Sequence, residues 1–291
     1  MKKILALFLA FMLLLPCLSV MAEEDIVIDR IAGEGADFAF AEDAQLLEIY
    51  FPKIGGCDAA FVRYGDYSML IDCAGNLWRE VETLLKKLNV TELDYAVNSH
   101  PDADHIGGFN HILKNIPAGE FLLGFPEDYD EGDTLRFKVY EDLHKLNIPF
   151  RQVKDGDILD FGDVKVTVLQ RTDASLQRVN NKSVMLMIEL GSRRIFFTGD
   201  IQRDTQILLM NAGDTLDLKA DILKFPHHGY AAMQNGFLDK VDPELVICTS
   251  GRSSADGAKQ LKERKIPHYF CENGILRLAT DGNVWLIERI K

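Results

Sequence analysis

Residues 99–108 read Ser99-His100-Pro101-Asp102-Ala103-Asp104-His105-Ile106-Gly107-Gly108. Two imidazoles and two carboxylates fall between His100 and His105. The run follows Leu93 to Asn98, a short apolar segment that reads as a strand, so these residues begin where a strand ends. His100 and Asp102 are two apart and share one face of extended backbone. Asp104 and His105 are adjacent, and a turn there aims them at a second point nearby. Such spacing suits two cations a few ångströms apart. Gly107 and Gly108 let the chain bend sharply into a helix. A polar loop with capping aspartates accounts for one or two of these residues and poorly for all four.

Two more segments have the same character. His227-His228 follow the strand-like run Asp221 to Phe225 and precede Gly229, where a solvated turn is the plain alternative. Thr198-Gly199-Asp200 closes another strand ahead of a helix, and a helix N-cap is the plain alternative for Asp200. All three features end apolar strands, so one sheet edge could gather them. His111, His144 and His268 read as surface or packing residues.

Working outward, Leu47 to Phe51, Ala59 to Tyr64 and Tyr67 to Cys73 read as strands, the last two turning at Gly65-Asp66. Leu77, Val81, Leu84, Leu85 and Leu88 recur at helical spacing, with Asn76 as a possible cap. Leu135 to Leu146 repeats that pattern. Strands are expected over Val164 to Leu169, Ser183 to Leu190, Arg194 to Thr198, Leu245 to Thr249 and His268 to Cys271. Helices are expected after Asp200 and near Ala255 to Arg264, and a last hairpin turns at Asp281-Gly282. Early hairpins followed by alternating strands and helices predict an α/β chain. The expected architecture is a four-layer αββα sandwich of two packed sheets with helices outside.

The first residues are unlike the rest. Lys2 and Lys3 precede the apolar run Ile4 to Leu15, and Val20-Met21-Ala22 precedes acidic residues. This predicts a signal peptide over 1–22, cleaved after Ala22, and a secreted product. An uncleaved anchor is disfavoured by the short run with Pro16 inside it, and a lipoprotein at Cys17 by Pro16 beside it. Residues 23–44 read as an extended lead-in and 45–291 as one domain; an apolar fraction of 47% is ample for its core. The net charge of −13 argues against a long nucleic-acid footprint, which needs a basic surface. It leaves a phosphodiester substrate open, since bound cations supply positive charge locally. Cys57, Cys73, Cys248 and Cys271 leave two choices: disulfides 57–73 and 248–271, or four buried free thiols.

The run His100-x-Asp102-x-Asp104-His105 resembles the H-x-H-x-D-H signature of the metallo-β-lactamase superfamily, with Asp102 in place of the second His. The fuller likeness is to the C-terminal hydrolase domain of the ComEC competence (DNA-uptake) family, with its S-H-x-D-x-D-H-x-G-G run. Ile54-Gly55-Gly56-Cys57-Asp58 is similar to that family's V-G-Q-G-D, and Leu70 to Gly75 to its L-I-D-T-G. Asn181-x-Ser183, Thr198-Gly199-Asp200 and Leu223 to Gly229 are similar to its N-x-S, T-G-D and L-K-x-P-H-H-G. The likeness spans about residues 46–285 and leaves out ComEC's membrane channel, so it carries no implication of DNA transport.

The resemblance implies a metallo-β-lactamase sandwich and a metal-dependent hydrolase. It implies two divalent ions, zinc or manganese, with His100 and Asp102 on the first, Asp104 and His105 on the second and Asp200 bridging. His228 would complete the second site, leaving His227 to face substrate with Asn181 and Ser183. Asp72 and Asp58 would be structural, and Lys224, His227 and Asp104 would serve catalysis. The superfamily's further His before the bridging Asp is absent; Asn180 and Asn181 stand there. That makes the first site richer in oxygen, which suits Mn²⁺ better than a nitrogen and sulfur set does. The expected reaction is phosphodiester hydrolysis, as in a nuclease, by a hydroxide that the two ions activate. A phosphocholine-type esterase is the rival, and a non-catalytic metal-containing binding module the alternative of another class.

Overall fold

The computed structural model describes residues 28–31, 40–129, 133–213 and 216–290. The expected leader 1–22 lies outside them, as do 23–27 and 32–39 of the lead-in. Within that lead-in, β1 (Ile28–Ile31) forms an edge strand. Next come β2 (Leu47–Phe51), β3 (Ala60–Tyr64) and β4 (Tyr67–Ile71), each antiparallel to its neighbour. Pairing then turns parallel through β5 (Leu93–Asn98), β6 (Ala118–Leu123) and β7 (Phe150–Gln152). Parallel neighbours need a crossover. Those crossovers contain α1 (Trp78–Lys87), then the single turns α2 (Ala103–Ile106) and α3 (Phe109–Ile112), then α4 (Leu135–Leu146). α1 buries Val81, Leu84 and Leu85, the expected apolar stripe.

The second sheet repeats the scheme. β8 (Ile158–Leu159), β9 (Lys165–Leu169), β10 (Met185–Leu190) and β11 (Arg193–Phe197) are antiparallel. β12 (Ile222–Lys224), β13 (Leu245–Cys248) and β14 (His268–Phe270) then add in parallel. Their crossovers carry α5 (Arg203–Asn211), α6 (Asn235–Val241) and α7 (Asp256–Glu263). The last hairpin, β15 (Ile275–Thr280) and β16 (Trp285–Ile290), returns to the first sheet, where β15 pairs with β2 and β16 with β1. The sheets thus have nine and seven strands.

One core fills the space between the sheets with Phe51, Phe197, Val166, Ile188 and Trp285, and it continues to Phe61 and Phe121 on the opposite face of the first sheet. A second, with Phe196, Leu223, Phe225 and Phe237, fills the space between the second sheet and its helices. β10 is buried along nearly its whole length, as a strand covered on both faces must be. The architecture is the predicted αββα sandwich. No helix among the described residues is long and apolar enough to cross a membrane.

Several expectations need correction. The four described cysteines are buried free thiols, not the disulfides 57–73 and 248–271. The first pairing assumed a hairpin centred on Gly65. The register instead pairs Tyr64 with Tyr67 and Ala60 with Ile71, one residue out of step, and pairing ends before either cysteine. In the second pair, Cys248 stands level with Phe270, so Cys271 projects to the opposite face of the sheet. Cys248 packs in the helix-side core and Cys271 in the core between the sheets. Asn76 is no cap either; it lies in a 3-10 turn, and the residue before α1 is Leu77.

Candidate metal centre

The parallel strands of both sheets deliver their carboxyl ends to one edge, the place where α/β sheets hold ligands. Asp72 follows β4, His100 to His105 follow β5, Asp200 follows β11, His227 and His228 follow β12, and Thr249 follows β13. Backbone hydrogen bonds tie these loops together. Cys73 N–H donates to His105 O at 2.8 Å, Asp58 N–H to Asp104 O at 3.1 Å, and His227 N–H to Gly199 O at 3.2 Å. Gly108 permits the closest approach, since a Cβ there would lie 1.7 Å from Cys73 O.

Four side chains from three strand ends converge. His228 Nε2 lies 3.1 Å from Asp104 Oδ2 and 3.3 Å from Asp200 Oδ2. His105 Nε2 lies 3.3 Å from Asp200 Oδ2 and 4.0 Å from Asp104 Oδ2. Metal–ligand bonds of about 2.0–2.1 Å in a tetrahedron put ligand atoms roughly 3.3 Å apart, so this spacing fits one ion. Beside them His100 Nε2 lies 3.4 Å from Asp102 Oδ2, and the His100 ring centroid is 4.0 Å from that of His105. His100 Nε2, His105 Nε2 and Asp200 Oδ1 are buried without a hydrogen-bond partner. Buried polar atoms carry a desolvation cost unless something pairs with them, and a divalent cation would. The plain alternatives fail here: Asp102 makes no capping hydrogen bond to α2, and the residue that caps α5 is Gln202.

Behind His105 and His228 stand carboxylates, and behind His100 stands the Ser99 hydroxyl, 3.0 Å from Nδ1. Asp72 Oδ2 is 2.8 Å from His105 Nδ1, and Asp58 Oδ1 is 3.1 Å from His228 Nδ1. Such partners fix the tautomer and turn Nε2 toward a metal. Asp58 also comes within 4.8 Å of donor atoms on His105, Asp200 and His228, but from the Nδ1 side, where Lys224 Nζ closes on its carboxylate. A lysine ammonium there opposes a metal ion, so Asp58 orients rather than ligates. Thr249 Oγ1 donates to Asp58 as well. Asp72 is braced in turn by Ser99 N–H at 2.8 Å, Ser99 Oγ at 2.7 Å and Asn98 Nδ2 at 3.1 Å.

The electrostatics agree. Burial alone would lower the pKa of His105, yet the charges of Asp200 and Asp72 raise it well above the usual value. His228 behaves alike under Asp200 and Asp58. Burial would raise Asp200, but His228 and His105 hold it well below the carboxylate range. A field that binds protons so firmly also favours a cation. His227 differs: burial lowers its pKa, and neighbouring His228 and Lys224 add to the effect against Asp200. His227 and His228 both have positive φ, 53° and 60°, a strain of about 1–2 kcal/mol each that aims adjacent rings separately.

Other expected site residues sit deeper. Lys224 is 2% exposed, with Nζ on Asp58, 3.3 Å from Gly199 O and 3.8 Å from Asp200 Oδ1. Asn181 is buried; its Oδ1 accepts from Gln202 N–H at 2.8 Å and its Nδ2 donates to Asp204. Ser183 is buried too; its Oγ donates to Asn180 O at 2.7 Å and accepts from Asp200 N–H at 3.2 Å. Only His227 of the expected substrate contacts is part-exposed, with Nε2 3.8 Å from Asp200 Oδ2. Sequence reasoning missed Ser99 and Thr249. Their one signal was position, each at the end of an apolar run.

Residues 52–250 match the metallo-beta-lactamase superfamily, and the chain belongs to it. It is similar to ComE operon protein 3 of Bacillus subtilis, 27% identical over an alignment of 267 positions that covers 84% of this chain and 33% of that protein. It is also similar to Recombination protein 2 of Haemophilus influenzae, 26% identical over 67% of this chain and 22% of that one. The chain therefore spans a third or less of the length of these relatives. Igni18, a metallo hydrolase from Ignicoccus hospitalis, shares the fold with a TM-score of 0.52 and 14% identity, over 79% of this chain and 98% of Igni18.

Proposed function

We propose that this protein is a secreted phosphodiesterase that works with two divalent ions, zinc or manganese. The approach of His105 and His228 to Asp104 and Asp200 at 3.1–4.0 Å, with His105 Nε2 and Asp200 Oδ1 buried and unpartnered, carries the reading. Those four would hold one ion. His100 and Asp102 would hold the other, with Asp200 shared. When bound, such ions supply Lewis-acid charge and activate water at neutral pH. Similarity to competence and recombination proteins supports a phosphodiester substrate.

The chain's own groups divide the remaining work. Asp72 and Asp58 keep His105 and His228 in the tautomer that leaves Nε2 free. Lys224, expected at the reacting groups, is a positioning residue: its charge lets Asp58 stay ionised in the interior. Asn181 and Ser183 act likewise, holding the loop before α5 and the Asp200 backbone. His227, neutral at pH 7 with its lowered pKa, is the imidazole left to meet substrate at the mouth.

The test is release of nitrophenol from bis-(p-nitrophenyl) phosphate by the chain from Glu23 onward. It is stripped with chelator and reloaded with Zn²⁺ or Mn²⁺. Turnover should vanish on stripping and return with metal. D104A and H105A should each lower kcat by at least about a hundredfold, roughly the loss expected of about 3 kcal/mol at the centre, and leave the circular dichroism unchanged. Stoichiometric metal without turnover on any ester would overturn the proposal in favour of a binding module.

A further inference from the structure

Beside the centre, with His227 in its lining, lies a cavity of about 370 Å³, large enough for a small ligand. Its wall includes Pro226, Ala231 and Ala232, and its rim carries Arg178 and Arg203, both exposed. Other arginines of the chain, Arg63, Arg193, Arg194 and Arg277 among them, close on carboxylates or, like Arg79, Arg252 and Arg289, lie over aromatic rings. Arg178 and Arg203 have no carboxylate within ion-pair reach among the described residues. Arg178 is instead held by a neutral group, donating to Gln202 Oε1 at 3.1 Å. Gln202 Nε2 lies 3.4 Å from His227 Nδ1, and His227 Nε2 lies 3.8 Å from Asp200. One continuous line of side chains thus runs from Asp200 through His227 and Gln202 to Arg178, and Arg203 lines the same cavity.

Arginine presents a planar fork that matches phosphate oxygens. We propose that this cavity is a subsite for a second phosphate, that of the nucleotide next to the ester being cleaved. The proposal rests on the phosphodiesterase reading and names its substrate class: a short nucleic-acid end rather than a long duplex. The apolar wall of Pro226, Ala231 and Ala232 gives the intervening nucleoside a surface to lie on. The overall charge of −13 argues against an extended electrostatic footprint, and two arginines lining one cavity do not need one. The same rim repels a quaternary ammonium, so a phosphocholine leaving group would bind poorly here.

The experiment is calorimetric binding to the full Zn²⁺-loaded chain. The probes are thymidine 3′,5′-bisphosphate, thymidine 5′-monophosphate and 1,3-propanediol bisphosphate. The bisphosphate nucleotide should bind about tenfold tighter than the monophosphate, the gain expected of two charge-assisted contacts at an exposed site. R178A/R203A should abolish that difference, and R178E/R203E should reverse it, with thermal unfolding unchanged in both. Equal affinity for propanediol bisphosphate keeps the subsite and assigns it to a polyol-phosphate chain. Equal affinity for the two nucleotides in the wild type, or a preference that survives in R178A/R203A, overturns the proposal. A preference found without any ester turnover would sustain the subsite and defeat the hydrolase reading, so the two fail separately.

Discussion

Replacing Asp58 by asparagine takes one charge from a buried ion pair and leaves the other in place. Lys224 would keep Gly199 O at 3.3 Å and Asp200 at 3.8 Å, but it would lose its nearest carboxylate. Breaking a buried pair from one side costs about 3–5 kcal/mol, and the remaining contacts put D58N near the lower end, about 3 kcal/mol. With a urea dependence of about 3 kcal/mol per molar, the unfolding midpoint should fall by about 1 M. The same substitution withdraws the carboxylate that orients His228, so metal affinity should drop by about 10–100-fold. Urea unfolding followed by tryptophan fluorescence reads the first effect, and competition with a chromophoric chelator reads the second. D58N/K224M separates them. Removing both charges should restore much of the midpoint, because no uncompensated charge stays buried, yet the metal affinity should stay low. A D58N midpoint within about 0.2 M of wild type, together with unchanged metal affinity, would refute the roles given to Asp58 and Lys224.

Three further outcomes follow from other parts of the fold. G108A places a methyl 1.7 Å from a backbone oxygen, which cannot rotate away, so thermal unfolding should show a loss of about 3 kcal/mol or more, and a wild-type melting curve would contradict the packing. Burial would raise the pKa of Glu48, but hydrogen bonds from Arg63, Arg277 and Tyr50 hold it below the usual value. A depressed carboxylate stabilises the fold above its unfolded pKa of about 4.3. The wild-type advantage over E48Q, about 1–2 kcal/mol near pH 7, should therefore shrink as pH falls through 4 and below; an advantage constant from pH 7 to 3 would exclude the linkage. Burial pushes the Cys57 and Cys248 thiols up to about 12, so the native chain from Glu23 onward should not react with Ellman's reagent at pH 8. In guanidinium without reductant the four thiols should all titrate, and a smaller number would reveal a disulfide.

Most strands and helices were legible because their residues alternate or recur at period 3.6 within one segment. Leu47–Phe51, Trp78–Lys87 and Leu135–Leu146 carry that signal in full. Phe150–Gln152 and Ile158–Leu159 are too short to show a period, and Ala118–Leu123 hides its alternation behind Gly119 and Glu120. They exist because neighbouring strands complete their hydrogen bonds. The candidate ligands were legible for a related reason. Six chemically expensive side chains at the ends of three apolar runs have few explanations other than convergence. Arg178 and Arg203 gave no such warning, since a surface arginine is ordinary until its surroundings are known.

The amino-acid order alone determined that His100 to His105 leave a strand together, because chain neighbours cannot be far apart, and that the later strands alternate with helices along the chain. It could not decide the one-residue register that separates Cys57 from Cys73, because a hairpin shifted by one step reads almost the same. Nor could it decide which of two adjacent histidines turns inward. That choice is made by Asp58, 170 residues away, and by two left-handed residues whose strain only the packed sheets sustain. Local periodicity is written into neighbouring residues; the direction of a side chain is set by atoms that folding alone brings within reach.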